Sequence, residues 1–147
     1  QVAFNLLSRY GPESARTLDS VEGRILKHFS AVTRGSVPVP SLMLLQGPTF
    51  HSYAFSVYID LEQEHSTGDF ARALSGEHIS IARLAEDAPN NVSAAGQNDV
   101  LVSLKRDPQR ASAFWLWVAV DNLKLMAINA VECAETSTAP LPKERIQ

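Results

Sequence analysis

One cysteine, Cys133, is all the thiol in this 147-residue chain. No disulfide can close within it, which suits a reducing compartment. Long apolar runs are also missing, and nothing approaches the roughly 20 residues that cross a bilayer. There is no basic surplus: 13 Lys and Arg against 16 Asp and Glu leave a net charge of −3. The cations are scattered rather than clustered, so the electrostatic footprint of nucleic-acid binding is absent. No Gly-rich phosphate loop of the dinucleotide or P-loop type occurs, and Gly47-Pro48, Gly76 and Gly96 are isolated turn formers. The four histidines, at 28, 51, 65 and 78, are not at metal-ligand spacing with one another, with cysteine or with a carboxylate motif. A zinc site needs three or four converging ligands, so no metal is expected. Asn91-Val92-Ser93 matches a glycosylation triplet, but with no signal peptide in view it counts as chance. A cytoplasmic location is expected.

What is present is ordinary globular chemistry, 45% hydrophobic and 20% charged residues, in a length that suits one domain with a real core. The first residue is not Met, and "QVAFNLL" begins abruptly on a strand pattern, so the chain is expected to be a piece of something longer. Val2 to Leu7 is the first strand candidate, closed by Gly11-Pro12. Leu18, Val21, Ile25, Leu26 and Phe29 recur at helical spacing from about Thr17. Thr33 to Pro40 is a connector, where two prolines deny the backbone ladder donors. Ser41 to Leu45 is a second strand candidate.

Ser52 to Glu62 alternates strictly. Tyr53, Phe55, Val57, Ile59 and Leu61 share one face, which describes a strand with one side in a core. Ser66 to Leu74 is a helix with Ser66 or Thr67 as its cap and Gly76 beyond its end. Ile79 and Ile81 mark a short strand, Glu86 to Asp99 a long loop, and Val100 to Leu104 another strand. "AFWLWVAVD", Ala113 to Asp121, is apolar on both faces and is expected to be buried on both. Helical spacing returns over Asn122 to Glu135, and residues 137–147 are a loose tail. The whole predicts an α+β fold: a mixed, mostly antiparallel sheet with helices on one face.

Cys133 is flanked by Glu132 and Glu135 near a helix C-terminus. Both influences oppose a thiolate, so an inert, partly buried cysteine is expected. Trp115 and Trp117 stand two apart and point the same way on a strand, either into a core layer or into a subunit interface, where tryptophan is enriched.

Three stretches together resemble the C-terminal, or dimerisation, domain of the aspartate-semialdehyde dehydrogenase family: "VAFNLL", "PTFHSYAFSVYIDLE" and "FWLWVAVDNLKLMAINAVECAE". The resemblance spans Val2 to Glu135. It implies a glyceraldehyde-3-phosphate dehydrogenase-like C-terminal domain over residues 1–136, with the nucleotide-binding domain and catalytic cysteine upstream, outside this chain. In that family a cysteine attacks the aldehyde, a histidine serves as acid/base, and hydride passes to NADP. Active members show a block like Arg-Val-Pro-Val-x-x-Gly-His-Ser-Glu.

Anchored on Pro48, the family's substrate arginine falls on Gln46, its histidine on Tyr53, and its Ser-Glu pair on Ala54-Phe55. Glutamine lacks the bidentate charged contact of arginine. A tyrosine of pKa near 10 is a poor base for a thiol. The resemblance is therefore to a catalytically silent paralogue, with no cofactor in this fragment and NADP a matter for the parent protein. His51, two positions earlier, is the fallback base and is read first as a strand-edge residue. For Asn122 the resemblance implies the family's reach toward the nicotinamide. The expected partner is a second copy, in a homodimer built on the sheet with Trp115 and Trp117 at the interface. The competing expectations are an active NADP-dependent aspartate-semialdehyde dehydrogenase of amino-acid biosynthesis, and a small-molecule binding module without turnover.

Overall fold

A computed structural model describes residues 4–82 and 87–138. It divides into two compact units, Gln1–Thr49 and Phe50–Gln147, each taken by itself below. The first unit is built on helix α1, Leu18–Thr33. Thr17 caps it, its hydroxyl accepting the Ser20 N–H at 3.1 Å, and Asp19 sits where the helix dipole favours an anion. Arg34 and Gly35 end it in the left-handed region, at φ 51° and 72°.

The strand expected at Val2 to Leu7 lies partly outside the described residues. Its remainder, and the strand expected at Ser41 to Leu45, reduce to one antiparallel bridge between Leu7 and Gln46. The chain is bent locally by a positive φ of 63° at Phe4, while Pro38, Pro40 and Pro48 remove the donors a longer ladder needs. Residues 41–45 are extended all the same, and Glu22 of α1 accepts the Leu44 N–H at 2.6 Å.

The second unit is the α+β fold that the alternation predicts. Strand β1 (Tyr53–Asp60), helix α2 (Thr67–Leu74), strand β2 (Ile79–Ile81), helix α3 (Asn91–Ala94), strands β3 (Val100–Arg106) and β4 (Ala113–Val120), and helix α4 (Asn122–Thr138) follow in order. The sheet runs β1-β4-β3-β2. β4 pairs antiparallel with both β1 and β3, while β2 joins β3 in parallel, so the sheet is mixed and mostly antiparallel.

Register sorts the two faces. Ile59 lies opposite Phe114, Val57 opposite Leu116, Phe55 opposite Val118, and Leu104 and Val102 extend the same face across β3. Helix α2 covers this side: Phe70 stacks on Phe114 at 4.4 Å between ring centres, and Val102 and Leu116 complete the buried cluster. Ser66 holds α2 in place as its N-cap, accepting the Asp69 N–H at 3.0 Å.

The apolar strand β4 departs from its expected burial on both faces. Phe114 is fully buried, but Trp115 and Trp117 on the opposite face are each 41% exposed. Helix α2 packs on the other side, where Phe70 meets Phe114. β1 departs too: Tyr53, Phe55 and Val57 point to the core face yet stay exposed, since they lie at the sheet's outer edge beyond the reach of α2. The segment expected as one long loop contains the short α3, nucleated by Asn90, whose side chain accepts from both Val92 and Ser93 while Ser93 reciprocates.

Candidate functional site

A cluster of polar groups of the second unit forms where β4 passes into α4. Asp121 ends the strand and caps the helix: one carboxylate oxygen accepts the Leu123 and Lys124 N–H groups, each at 3.0 Å. Its other oxygen accepts the Gly96 N–H at 2.8 Å. Asp121 is buried, and these donors, the Gly96 N–H foremost, hold its carboxyl below the usual carboxylate range against the opposing effect of desolvation.

His51 comes to the same carboxylate from the other end of the chain, with Nε2 3.8 Å from Oδ2 of Asp121 and an imidazole still partly exposed. It is not on the strand, because β1 begins at Tyr53 and Ser52 bends the chain at φ 81°. Asn122 secures that bend, its Oδ1 accepting the Ser52 N–H at 2.7 Å. Ser52 is buried, and its hydroxyl has no hydrogen-bond partner among the described residues. His51, Ser52, Asp121 and Asn122 thus form one cluster from segments 70 residues apart.

Asp121 and Ser52 were missed in the sequence reading. Asp121 carries a readable signal, an Asp directly before a helical pattern. Ser52 carries none, since serine seldom advertises a positive φ.

The other candidate residues lie elsewhere. Tyr53, the residue that the sequence resemblance sets against the family's base, is exposed at the head of β1, with its ring edge-on to Phe55 at 6.2 Å. Gln46 belongs to the first unit, where its side-chain amide donates to the Gly47 carbonyl at 2.9 Å. Trp115 and Trp117 have satisfied indoles: Trp115 donates to Asp107 at 3.0 Å and Trp117 to the Pro89 carbonyl at 2.7 Å. Tyr58 leans against Trp115, ring centres 4.8 Å apart. Cys133, expected to be partly buried, is exposed on α4. Among the described residues no three His, Cys, Asp or Glu side chains converge as a metal would require, and no helix is long and apolar enough to cross a membrane.

A mixed sheet with one covered face, followed by a helix capped through Asp-Asn, defines the class as an α+β domain of the dehydrogenase C-terminal type. The particular relatives agree with one another. Aspartate-semialdehyde dehydrogenase of Bacillus subtilis (strain 168) is 34% identical over 96 residues, which is 60% of this chain and 28% of that protein. The structure of a probable aspartate-semialdehyde dehydrogenase from Pseudomonas aeruginosa superposes with a TM-score of 0.81 at 26% identity, covering 92% of this chain and 42% of that one. Aspartate semialdehyde dehydrogenase II from Vibrio cholerae, complexed with ASA, gives 0.77 at 26% identity, covering 92% and 41%. No protein-family model matches the chain. The chain is an aspartate-semialdehyde dehydrogenase-like domain, similar to the C-terminal domain of that family. It spans less than half the length of each of these relatives.

Proposed function

We propose that this domain holds two copies of a semialdehyde-dehydrogenase-like protein together through its sheet, and that it no longer supplies the family's acid/base and substrate-arginine chemistry. The observation that carries the assembly reading is the uncovered side of the sheet. Tyr58 of β1 and Trp115 and Trp117 of β4 lie on that side and are all exposed. Both indole N–H groups are satisfied within the chain, so what the tryptophans offer a partner is apolar ring surface, and a second copy of the same sheet fits that offer. The loss of chemistry is supported by Gln46, Tyr53 and Phe55 at the three positions where the family's block carries Arg, His and Glu.

Two measurements test the reading. Light scattering coupled to size exclusion should give a dimer at tens of micromolar, and a monomer there overturns the assembly role. The full-length protein should form no NADPH from aspartate semialdehyde and phosphate, whereas turnover near ~10 s⁻¹, an ordinary enzyme rate, overturns the silence.

One observation favours a second reading, an active NADP-dependent oxidoreductase with a displaced base. His51 lies 3.8 Å from a buried carboxylate, near enough for charge attraction, and a shortening of that distance to a hydrogen bond would orient its imidazole for proton transfer. Asn122 fits a cofactor carboxamide in one respect: its Oδ1 is committed to Ser52 while its Nδ2 group remains a donor. If turnover is found, His51→Ala should abolish it, and unchanged turnover in that variant removes His51 from the chemistry.

A further inference from the structure

The segment that precedes β3 is a strap held down by side chains of β4 and α4. Its own reciprocal bonds, between Asn90 and Ser93, build the short helix α3. Among the described residues, three hydrogen bonds tie residues 87–98 to the rest of the second unit. The Trp117 indole donates to the Pro89 carbonyl at 2.7 Å. The Gly96 N–H donates to Oδ2 of Asp121 at 2.8 Å, and the Lys124 ammonium to Oδ1 of Asn98 at 3.2 Å. Within the strap, Pro89 and Ala94 are buried. A segment fixed by a few bonds and little apolar burial opens at a smaller free-energy cost than the sheet beside it.

The middle anchor is shared with another group. An ionised carboxylate offers about four acceptor positions. In Asp121 the Leu123 and Lys124 N–H groups take Oδ1, and the Gly96 N–H takes one position of Oδ2. His51 approaches that same Oδ2, with Nε2 at 3.8 Å, outside the ~2.7–3.2 Å of a hydrogen bond. Two donors from distant parts of the chain thus contend for one oxygen, and the strap holds it. Gly96 does so at a φ of 77°, a conformation that costs glycine little and other residues more.

We propose that the strap is a latch on the pair His51 and Asp121. Closed, its Gly96 N–H fixes the carboxylate out of hydrogen-bond reach of the imidazole. Released, it lets Oδ2 swing to Nε2 of His51 and orient that ring for proton transfer. Trp117 is then a positioning residue, acting on His51 through the strap and the carboxylate. The latch deepens the displaced-base reading above, yet its test reads geometry and not turnover, so either can fail alone.

The test uses the full-length protein and two neutral substitutions. Gly96→Ala adds a Cβ where nothing lies within 4 Å, so its penalty falls on the left-handed backbone of the closed strap. Trp117→Phe removes the donor to Pro89 and keeps an aromatic ring. In both, amide hydrogen exchange across residues 89–98 should quicken about tenfold, with exchange of β3 and β4 unchanged. The ¹⁵N NMR signals of His51, assigned by their loss in His51→Gln, should move at the same time. A bond to Asp121 fixes the proton on Nε2 and leaves Nδ1 bare. Adding Asp121→Ser keeps a cap for α4 but removes the carboxylate, and that signature should vanish while the strap stays loose. Faster strap exchange without the signature, or a signature that survives Asp121→Ser, overturns the latch. So does wild-type strap exchange in both variants, or a wild type whose His51 already shows the bond.

Discussion

Ser52 is a small residue held in a costly conformation. Its φ of 81° is a region that L side chains rarely adopt, and such strain costs of order 1–3 kcal/mol. Its buried hydroxyl finds no partner among the described residues. Ser52→Gly relieves both, so we expect a gain of about 1 kcal/mol in urea unfolding; a loss would mean that the hydroxyl has a role the strain serves. Asp121 sets an acid limit. Its carboxyl is held below its ordinary range by the Gly96, Lys124 and Leu123 N–H groups, so its ionised form stabilises the fold above the unfolded pKa of about 3.9. That contribution is lost as the pH falls through the lower folded value. The Tm of the wild type should therefore fall more steeply below pH 4 than that of Asp121→Asn, and parallel curves would show that the cap does not titrate. The cap itself was legible, because an Asp before a helical pattern announces it. The convergence of His51 on it was not, since nothing local links positions 51 and 121.

Among the elements, β4 separates pattern from placement. Its apolar run was plain in the sequence, but which of its faces forms the core was decided by α2. Phe70 of α2 stacks on Phe114, while Trp115 and Trp117 point away. Phe114→Ala should cost about 3–5 kcal/mol, the usual range for emptying a buried aromatic site, seen as a lower urea midpoint at unchanged slope. Trp117→Ala should cost the isolated fold far less and weaken self-association instead. Equal losses of stability from the two substitutions would place Trp117 in the core. The alternation of β1 was equally plain and its strand formed as expected, yet its core-facing residues stay exposed because the strand landed at the edge. In the first unit, Val2 to Leu7 and Ser41 to Leu45 had strand composition, but among the described residues of these stretches the pairing is the single Leu7–Gln46 bridge, with prolines on the second segment's flanks.

At the scale of the whole molecule, the proposed silence can be tested by reversion. Restoring the family residue with Tyr53→His alone should bring no turnover. A general base contributes about 10²–10⁴ in rate, but groups that act as a unit fail together, and Gln46 and Phe55 would still stand where the family's block has Arg and Glu. NADPH formation by that variant above the wild-type baseline would show that the base was the only loss. The sequence by itself determined the α+β class, the order of the main strands and helices of the second unit, and the family likeness, because periodicity and motif order are local properties written along the chain. Only the tertiary structure decided that β1 comes last in the strand order of the second unit's sheet, that Trp115 and Trp117 lie on the face opposite Phe114, and that His51, Ser52, Asp121 and Asn122 share one cluster. Those facts depend on which strand pairs with which and on where α2 packs, and such long-range contacts are chosen by the free energy of the folded domain as a whole rather than by any segment of it.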